Sequence, residues 1–193
     1  MTASLQAIDT AVFLFFNGLH SHCADVFFYW VSNRFFWIPL YAFLLFLIVK
    51  KNKKRSVLIV LLMILGIFLS DQTCNIIKRN VCRPRPSHET ALADKVHLVD
   101  YPDGNVYRGG QFGFPSSHAA NSIVVALFAI FYAVPKNRRA AALLILWSLL
   151  LGYSRIYLGV HYPLDLLAGY AVGITYGVLL FISENSIRKI FCK

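Results

Sequence analysis

The sequence predicts an all-α integral membrane bundle of about five spanning helices, preceded by short interfacial helices. Three observations predict it. Hydrophobic residues make up 58% of the 193 residues and charged residues only 15%, against about 45–50% and about 25% in an average soluble domain. Five apolar stretches, near 34–50, 55–78, 118–135, 139–157 and 162–184, are long enough or nearly so to cross a hydrocarbon core, which takes about 20 helical residues. The basic residues gather at the edges of those stretches, as the positive-inside rule requires.

Residues 1–33 come first and differ from the rest. Leu5 to Phe16 is apolar but short, and Asn17, Gly18, His20, Ser21 and His22 interrupt it before a second apolar piece from Val26 to Val31. One spanning helix would bury that polar centre at high cost. Two short helices along the membrane surface fit better than a sixth span. The first basic residue is Arg34, so the start lacks the basic region of a cleaved signal peptide and is expected to be retained.

The five stretches follow, rich in Leu, Ile, Val, Phe and Ala. The last carries Gly169, Gly173 and Gly177, a small-residue stripe that predicts close helix–helix packing. Trp30, Trp37, Tyr153, Tyr157 and Tyr162 read as interface-belt residues and Trp147 as bundle packing. Between the second and third stretches, residues 79–117 form a long outer loop with turn signals at Pro102-Asp103-Gly104 and Gly109-Gly110. Loops this long tend to be functional.

A net charge of +10 raises the question of nucleic acid, and the placement of the charge excludes it. Eleven of the nineteen basic residues fall in three blocks: Lys50, Lys51, Lys53, Lys54 and Arg55; Lys136, Arg138 and Arg139; Arg188, Lys189 and Lys193. Alternating spans place all three blocks on the cytoplasmic side. Segments 1–33, 79–117 and 156–161 then lie outside. Anionic lipid headgroups are a secondary partner for the blocks. Four Cys without a CxxC motif make neither a disulfide framework nor a metal knuckle, and a Cys23–Cys82 bridge is not expected. His20, His22, His88 and His97 lack metal-ligand spacing and read as surface or loop residues.

Three polar clusters sit at the outer ends of the spans. Lys78, Arg79, Arg83, Arg85 and Pro86 close the second, Pro115-Ser116-Ser117-His118 opens the third, and Ser154-Arg155 leads through His161 to Asp165 at the start of the fifth. Polar groups gathered at membrane depth are functional candidates. If these ends meet, at least three cations surround two His, a Ser and a carboxylate. Arg forks and a Lys point charge suit a phosphate, and the first free N–H groups of the third span add to the anion site. One His can attack phosphorus and the other protonate the leaving oxygen near neutral pH. Asp165, four residues after His161, can reach back to the imidazole N–H and fix its tautomer. Arg79, Arg83 and Arg108 are equally consistent with substrate binding and with simple solvation. Asp71 lies seven residues before Lys78 near the same helix face and is not read as catalytic.

Lys78-x6-Arg85-Pro86, Pro115-Ser116-Ser117-His118 and Ser154-Arg155-x5-His161-x3-Asp165 resemble the three signature motifs of the type 2 phosphatidic acid phosphatase (PAP2) superfamily, which also includes vanadium haloperoxidases. The resemblance covers about Phe35 to Ile182 and implies a single domain over 1–193. It implies metal-independent hydrolysis of a phosphate ester or anhydride on a lipid through a phosphohistidine, with no cofactor. By position, His161 would be the nucleophile, Asp165 its orienter and His118 the general acid, while Lys78, Arg85, Ser116, Ser117 and Arg155 would hold the phosphoryl group. The family usually has Gly where this chain has Ser117, and Ser would be strained there if the position needed positive φ. The small size is similar to bacterial lipid A phosphatases and undecaprenyl pyrophosphatases, with phosphatidylglycerophosphate or phosphatidic acid as other substrates. That implies a bacterial cytoplasmic membrane protein with its site facing the periplasm or cell exterior. A transporter would need polar residues through the inner halves of the spans, which are missing. A binding module without turnover could dispense with one His.

Overall fold

A computed structural model describes residues 3–100 and 104–191 of the chain. Among the described residues the regular structure is helical, with two isolated antiparallel bridges, Pro84 with Phe112 and Asp100 with Val106. Pro102 and Asp103 of the expected turn, and Lys193 of the last basic block, lie outside the described residues.

Helices α1 (Ala3–Asn17) and α2 (His22–Ser32) are the two short helices expected in 1–33, and Ser21 caps α2 by accepting from the Ala24 N–H. A short 3-10 turn, Arg34–Trp37, leads into α3 (Ile38–Asn52), which has Pro39 in its first turn. Proline suits that turn because its missing N–H is unpaired there anyway. Lys53 reverses the chain at φ 50°, and α4 (Ser56–Val81) follows. At its far end Cys82 adopts the left-handed conformation and returns its N–H to the Lys78 carbonyl. Helix α5 (Ser117–Phe128) ends in a π-helical turn, Ala129–Ala133. Asn137 caps α6 (Arg138–Tyr157), and Pro163 opens α7 (Pro163–Phe191).

These helices coincide with the five expected stretches to within a few residues, except that α7 runs on to Phe191. Among the described residues, three helical runs are long and apolar enough to cross a membrane: 34–81, which holds α3 and α4, then 138–157 and 163–189. The run 117–133 is shorter. Its position explains why: α5 packs against α4, α6 and α7 at the centre of the bundle, with Ala119, Ala120, Val124, Ala126 and Phe128 fully buried. Large apolar side chains on the other helices point outward, among them Phe43 and Phe46 of α3, Leu61 and Phe68 of α4, Leu143 and Leu146 of α6 and Leu179 of α7. An apolar belt of that extent marks a lipid-facing surface.

The glycine stripe packs as predicted. A methyl group on Gly169 would fall 2.3 Å from the Ser116 carbonyl oxygen, and one on Gly173 the same distance from that of Ala120. Only residues without a side chain let α5 and α7 approach so closely.

Two polar clusters mark opposite ends of the bundle. At one end Asn52 Nδ2 donates to the Tyr132 carbonyl (3.1 Å), while buried Glu184 pairs with Arg55 (2.5 Å) and accepts from the Tyr132 hydroxyl (3.2 Å). This is the end that carries the basic blocks. At the other end lie the last turns of α4 and α6 and the first turns of α5 and α7, where all three motifs sit.

Some residues sit differently from expectation. Tyr157 and Tyr162 are not belt residues: both are buried, Tyr157 beneath α2 and Tyr162 between the rings of Phe13 and the guanidinium of Arg83. His97 is no free loop residue, because it pairs with Asp25 at 2.8 Å and stacks on His20. Trp147 is buried in the bundle and Trp30 exposed, as expected. Cys23 and Cys82 are exposed free thiols.

Candidate active site

The site is assembled from a loop and four helix ends. After Cys82 ends α4, residues 83–85 run extended beside 111–113. Arg85 N–H donates to the Gln111 carbonyl (3.1 Å) and Gly113 N–H to the Arg83 carbonyl (2.9 Å). Extended chain alternates its side chains, so Arg83 and Arg85 point the same way and Pro84 the other. Both arginines are buried against the loop between α6 and α7. Gly159, at φ 72°, turns that loop, and the N–H groups of Val160 and His161 return to the Arg155 carbonyl.

His161 and Asp165 are almost wholly buried. His161 Nδ1 lies 3.3 Å from Asp165 Oδ2, and Arg85 Nη1 lies 2.9 Å from His161 Nε2. Guanidinium can only donate. Nε2 is therefore the unprotonated nitrogen and Nδ1 carries the proton toward Asp165. Burial first, then the Arg85, Arg155 and Lys78 cations, hold the His161 imidazole well below its ordinary range, so it is neutral at pH 7. Burial, reinforced by Arg155, pushes Arg85 down to about 10, which leaves it a cation at pH 7.

Asp165 is oriented from several sides. Its Oδ2 also accepts the Tyr162 N–H (3.0 Å), and its Oδ1 accepts from Arg83 Nη1 (2.8 Å). Gly113 covers it so closely that a Cβ there would meet Asp165 Oδ2 at 2.9 Å. The Asp165 carbonyl accepts the Ser116 N–H (2.8 Å), which ties the start of α7 to the start of α5.

The remaining predicted residues converge on the same spot. Lys78 Nζ donates to Ser117 Oγ at 2.7 Å. Ser117 opens α5 and is not among the residues with positive φ, so it carries no backbone strain in place of glycine. Its first-turn position leaves helix N–H groups free for an anion. Arg155 donates to Ser32 Oγ and to the Tyr107 hydroxyl, while its Nε has no hydrogen-bond partner among the described residues. Ser116 Oγ is likewise buried without one. Both atoms are thus available to a phosphoryl oxygen. Burial would raise the Tyr107 phenol, yet Arg155, through its charge and its hydrogen bond, brings it below its ordinary value. His118 is exposed on the wall of a cavity of about 530 Å³ that also takes in Ser117, Asp71, Arg34 and the apolar Trp37, Leu44 and Ile67.

All eight predicted site residues thus lie together. Of the three uncommitted arginines, Arg79 and Arg108 are exposed and Arg83 is built into the site. Asp9, Ser32, Tyr107 and Gly113 were not foreseen. Asp9 carried a signal: with Phe13 and Asn17 it forms a four-residue-spaced stripe on α1, and all three are buried. Ser32 and Tyr107 reach Arg155 from distant parts of the chain and carried no local signal.

Residues 56–188 match the PAP2 superfamily, more than half of the chain. The chain belongs to the PAP2 superfamily. Two lipid A 4'-phosphatases are similar to it. That of Bacteroides thetaiotaomicron is 40% identical over 190 residues, covering 97% of this chain and 81% of that protein. That of Porphyromonas gingivalis is 36% identical over 180 residues, covering 90% and 72%. Among solved structures, Aquifex aeolicus LpxE superposes with a TM-score of 0.65 at 28% identity, covering 89% of this chain and 93% of that one. The expectation of an all-α membrane PAP2 enzyme that hydrolyses a phosphate ester of a lipid is met.

Proposed function

We propose that this PAP2 protein removes a phosphate from lipid A through a phosphohistidine on His161. The observation that carries the reading is the Arg85–His161–Asp165 arrangement: a neutral imidazole whose Nε2 lone pair faces cations and whose Nδ1–H faces a carboxylate. A phosphoryl group entering between Arg85, Lys78, Arg155, Ser116 and the α5 N-terminus would bring phosphorus to Nε2. Nε2 then forms the P–N bond as the P–O bond breaks, and His118 gives its proton to the departing lipid oxygen. A water completes the cycle: His118 takes its proton, its oxygen bonds to phosphorus, the P–N bond breaks and inorganic phosphate leaves. Asp165 stabilises the positive charge that His161 gains in the first step. Arg85, Lys78 and Arg155 meet the charge of the transition state.

The substrate class rests on two supports. The relatives at 40% and 36% identity are lipid A 4'-phosphatases. The apolar cavity at His118 suits an acyl chain that stays among α3, α4 and α5 while the phosphate is held. Positive-inside orientation favours the end with Lys50–Arg55, Lys136–Arg139 and Arg188–Lys189 as cytoplasmic. The site would then open at the outer face of the cytoplasmic membrane.

The test is phosphate release by the purified protein from lipid A, undecaprenyl pyrophosphate, phosphatidylglycerophosphate and phosphatidic acid in mixed micelles, with mass spectrometry of the lipid A product. Lipid A lacking its 4'-phosphate is the expected product, formed in the presence of a chelator and blocked by vanadate. Release only from undecaprenyl pyrophosphate would move the substrate to the isoprenoid class. Activity lost to the chelator and restored by Mg²⁺ would overturn the chemistry.

A further inference from the structure

We propose that Asp9, on the N-terminal helix α1, is a positioning residue for the Asp165–His161 pair and acts through Arg83; this rests on His161 as nucleophile.

Four buried groups form a continuous chain. Asp9 Oδ2 accepts from Arg83 Nη2 at 2.6 Å, Arg83 Nη1 donates to Asp165 Oδ1 at 2.8 Å, and Asp165 Oδ2 meets His161 Nδ1 at 3.3 Å. Asp9 is 3% exposed and Arg83 8%, so neither interaction is the screened surface kind. The plane of the guanidinium is fixed as well, because Arg83 lies over the Tyr162 ring at 4.0 Å. Phe13 of α1 meets that ring from its edge at 5.3 Å.

Geometry divides the work between the two carboxylate oxygens of Asp165. Arg83 occupies Asp165 Oδ1 and so leaves Oδ2 for the imidazole and the Tyr162 N–H. A guanidinium bound to Asp165 alone could slide onto both oxygens in a bidentate pair, the favoured arrangement for Arg with a carboxylate. Asp9 draws the second nitrogen away. Its other oxygen, Oδ1, accepts the Leu164 N–H (3.0 Å), so it is anchored to the same turn that presents Asp165. Lysine could not replace Arg83, since it lacks the planar fork that reaches two carboxylates.

The rest of α1 docks without this charge. Asn17 Nδ2 donates to the carbonyls of Ile156 and Tyr157, and Asn17 Oδ1 accepts the His97 N–H. Phe13 is fully buried. Asp9→Asn therefore keeps α1 in place, and its amide oxygen can still accept from Leu164, while the charge that holds Arg83 is gone.

Rapid-quench phosphoenzyme formation on the full-length protein, with active sites counted by burst amplitude, tests the chain. Asp9→Asn is expected to lower the rate per active site about 10- to 100-fold, by analogy with the loss of carboxylates that orient metal-ligating histidines. KM should not change, because Asp9 touches no substrate. Arg83→Lys should lose as much as Asp9→Asn, and Asp9→Asn added to Arg83→Gln should cost nothing further. Two outcomes would overturn the proposal: a reduced burst amplitude with an unchanged rate per site, which is a folding role, or losses that multiply in the double variant. Phosphoenzyme formation surviving in His161→Ala would instead remove the reading beneath it.

Discussion

Arg85 Nη1 sits 2.9 Å from His161 Nε2, so a guanidinium holds the lone pair that the proposed chemistry uses. An incoming phosphoryl oxygen offers that guanidinium a stronger, charged acceptor. Under the proposed mechanism, Arg85 would turn to the anion and so free Nε2 for attack.

The first prediction concerns protonation. Burial and three neighbouring cations hold His161 below its ordinary range. Its ¹⁵N resonances in labelled, detergent-solubilised protein should show neutral imidazole with the proton on Nδ1 at pH 6.5 and somewhat below. His161→Gln assigns them. Between the two pKa values the unfolded chain binds the extra proton, so stability falls as pH drops below about 6.5. Titration at or above pH 6.5 would contradict the burial and the charges.

Second, the two histidines should fail differently. His161→Ala should form no phosphoenzyme with any substrate. His118→Ala should form it slowly, about 10²–10⁴-fold down, with a smaller loss on an aryl phosphate, whose leaving group needs less protonation. Arg155→Ala should cost about 10²–10³-fold, as loss of one preorganised donor does. A phosphoenzyme in His161→Ala but none in His118→Ala would reverse the roles.

Orientation gives a third prediction. In a background with the native cysteines replaced by serine, Asn105→Cys on the loop at the motif end should react with an impermeant maleimide in intact spheroplasts. Asn137→Cys, at the basic end, should react only after lysis; it loses the α6 cap, at about 1 kcal/mol. The opposite pattern would invert the topology.

The fourth tests the α5–α7 contact. Gly173→Ala places a methyl 2.3 Å from the Ala120 carbonyl oxygen and 2.4 Å from Ile123 Cγ2. Overpacking of this kind costs about 1–3 kcal/mol, read as a lowered Tm by tryptophan fluorescence. Gly110→Ala, with open space around it, should melt within error of the wild type.

What the sequence made legible follows from the range of the interactions. Helix positions rest on local apolar runs, and all five were found to within a few residues apart from the longer C-terminal end of α7. The gathering of the eight candidate site residues was legible because three motifs keep fixed spacings at helix ends. The pairing of Arg83 with Asp9 was not, since it joins residues 74 apart in the chain: the Asp9, Phe13 and Asn17 spacing marks a buried face of α1 but not its partner, and Arg83 does not differ locally from a surface charge. Tyr157 and Tyr162 misled for a related reason. Aromatic residues at a span's end look alike in sequence whether lipid or another helix covers them, and here α1 and α2 fold back over both.

The cavity beside His118 has a kinetic consequence. A lipid that reaches the site with its tail between α3, α4 and α5 never dissolves in water on the way. Its effective concentration is its mole fraction in the leaflet, and diluting the membrane with inert phospholipid should slow turnover even when the amount of substrate in the tube is held constant.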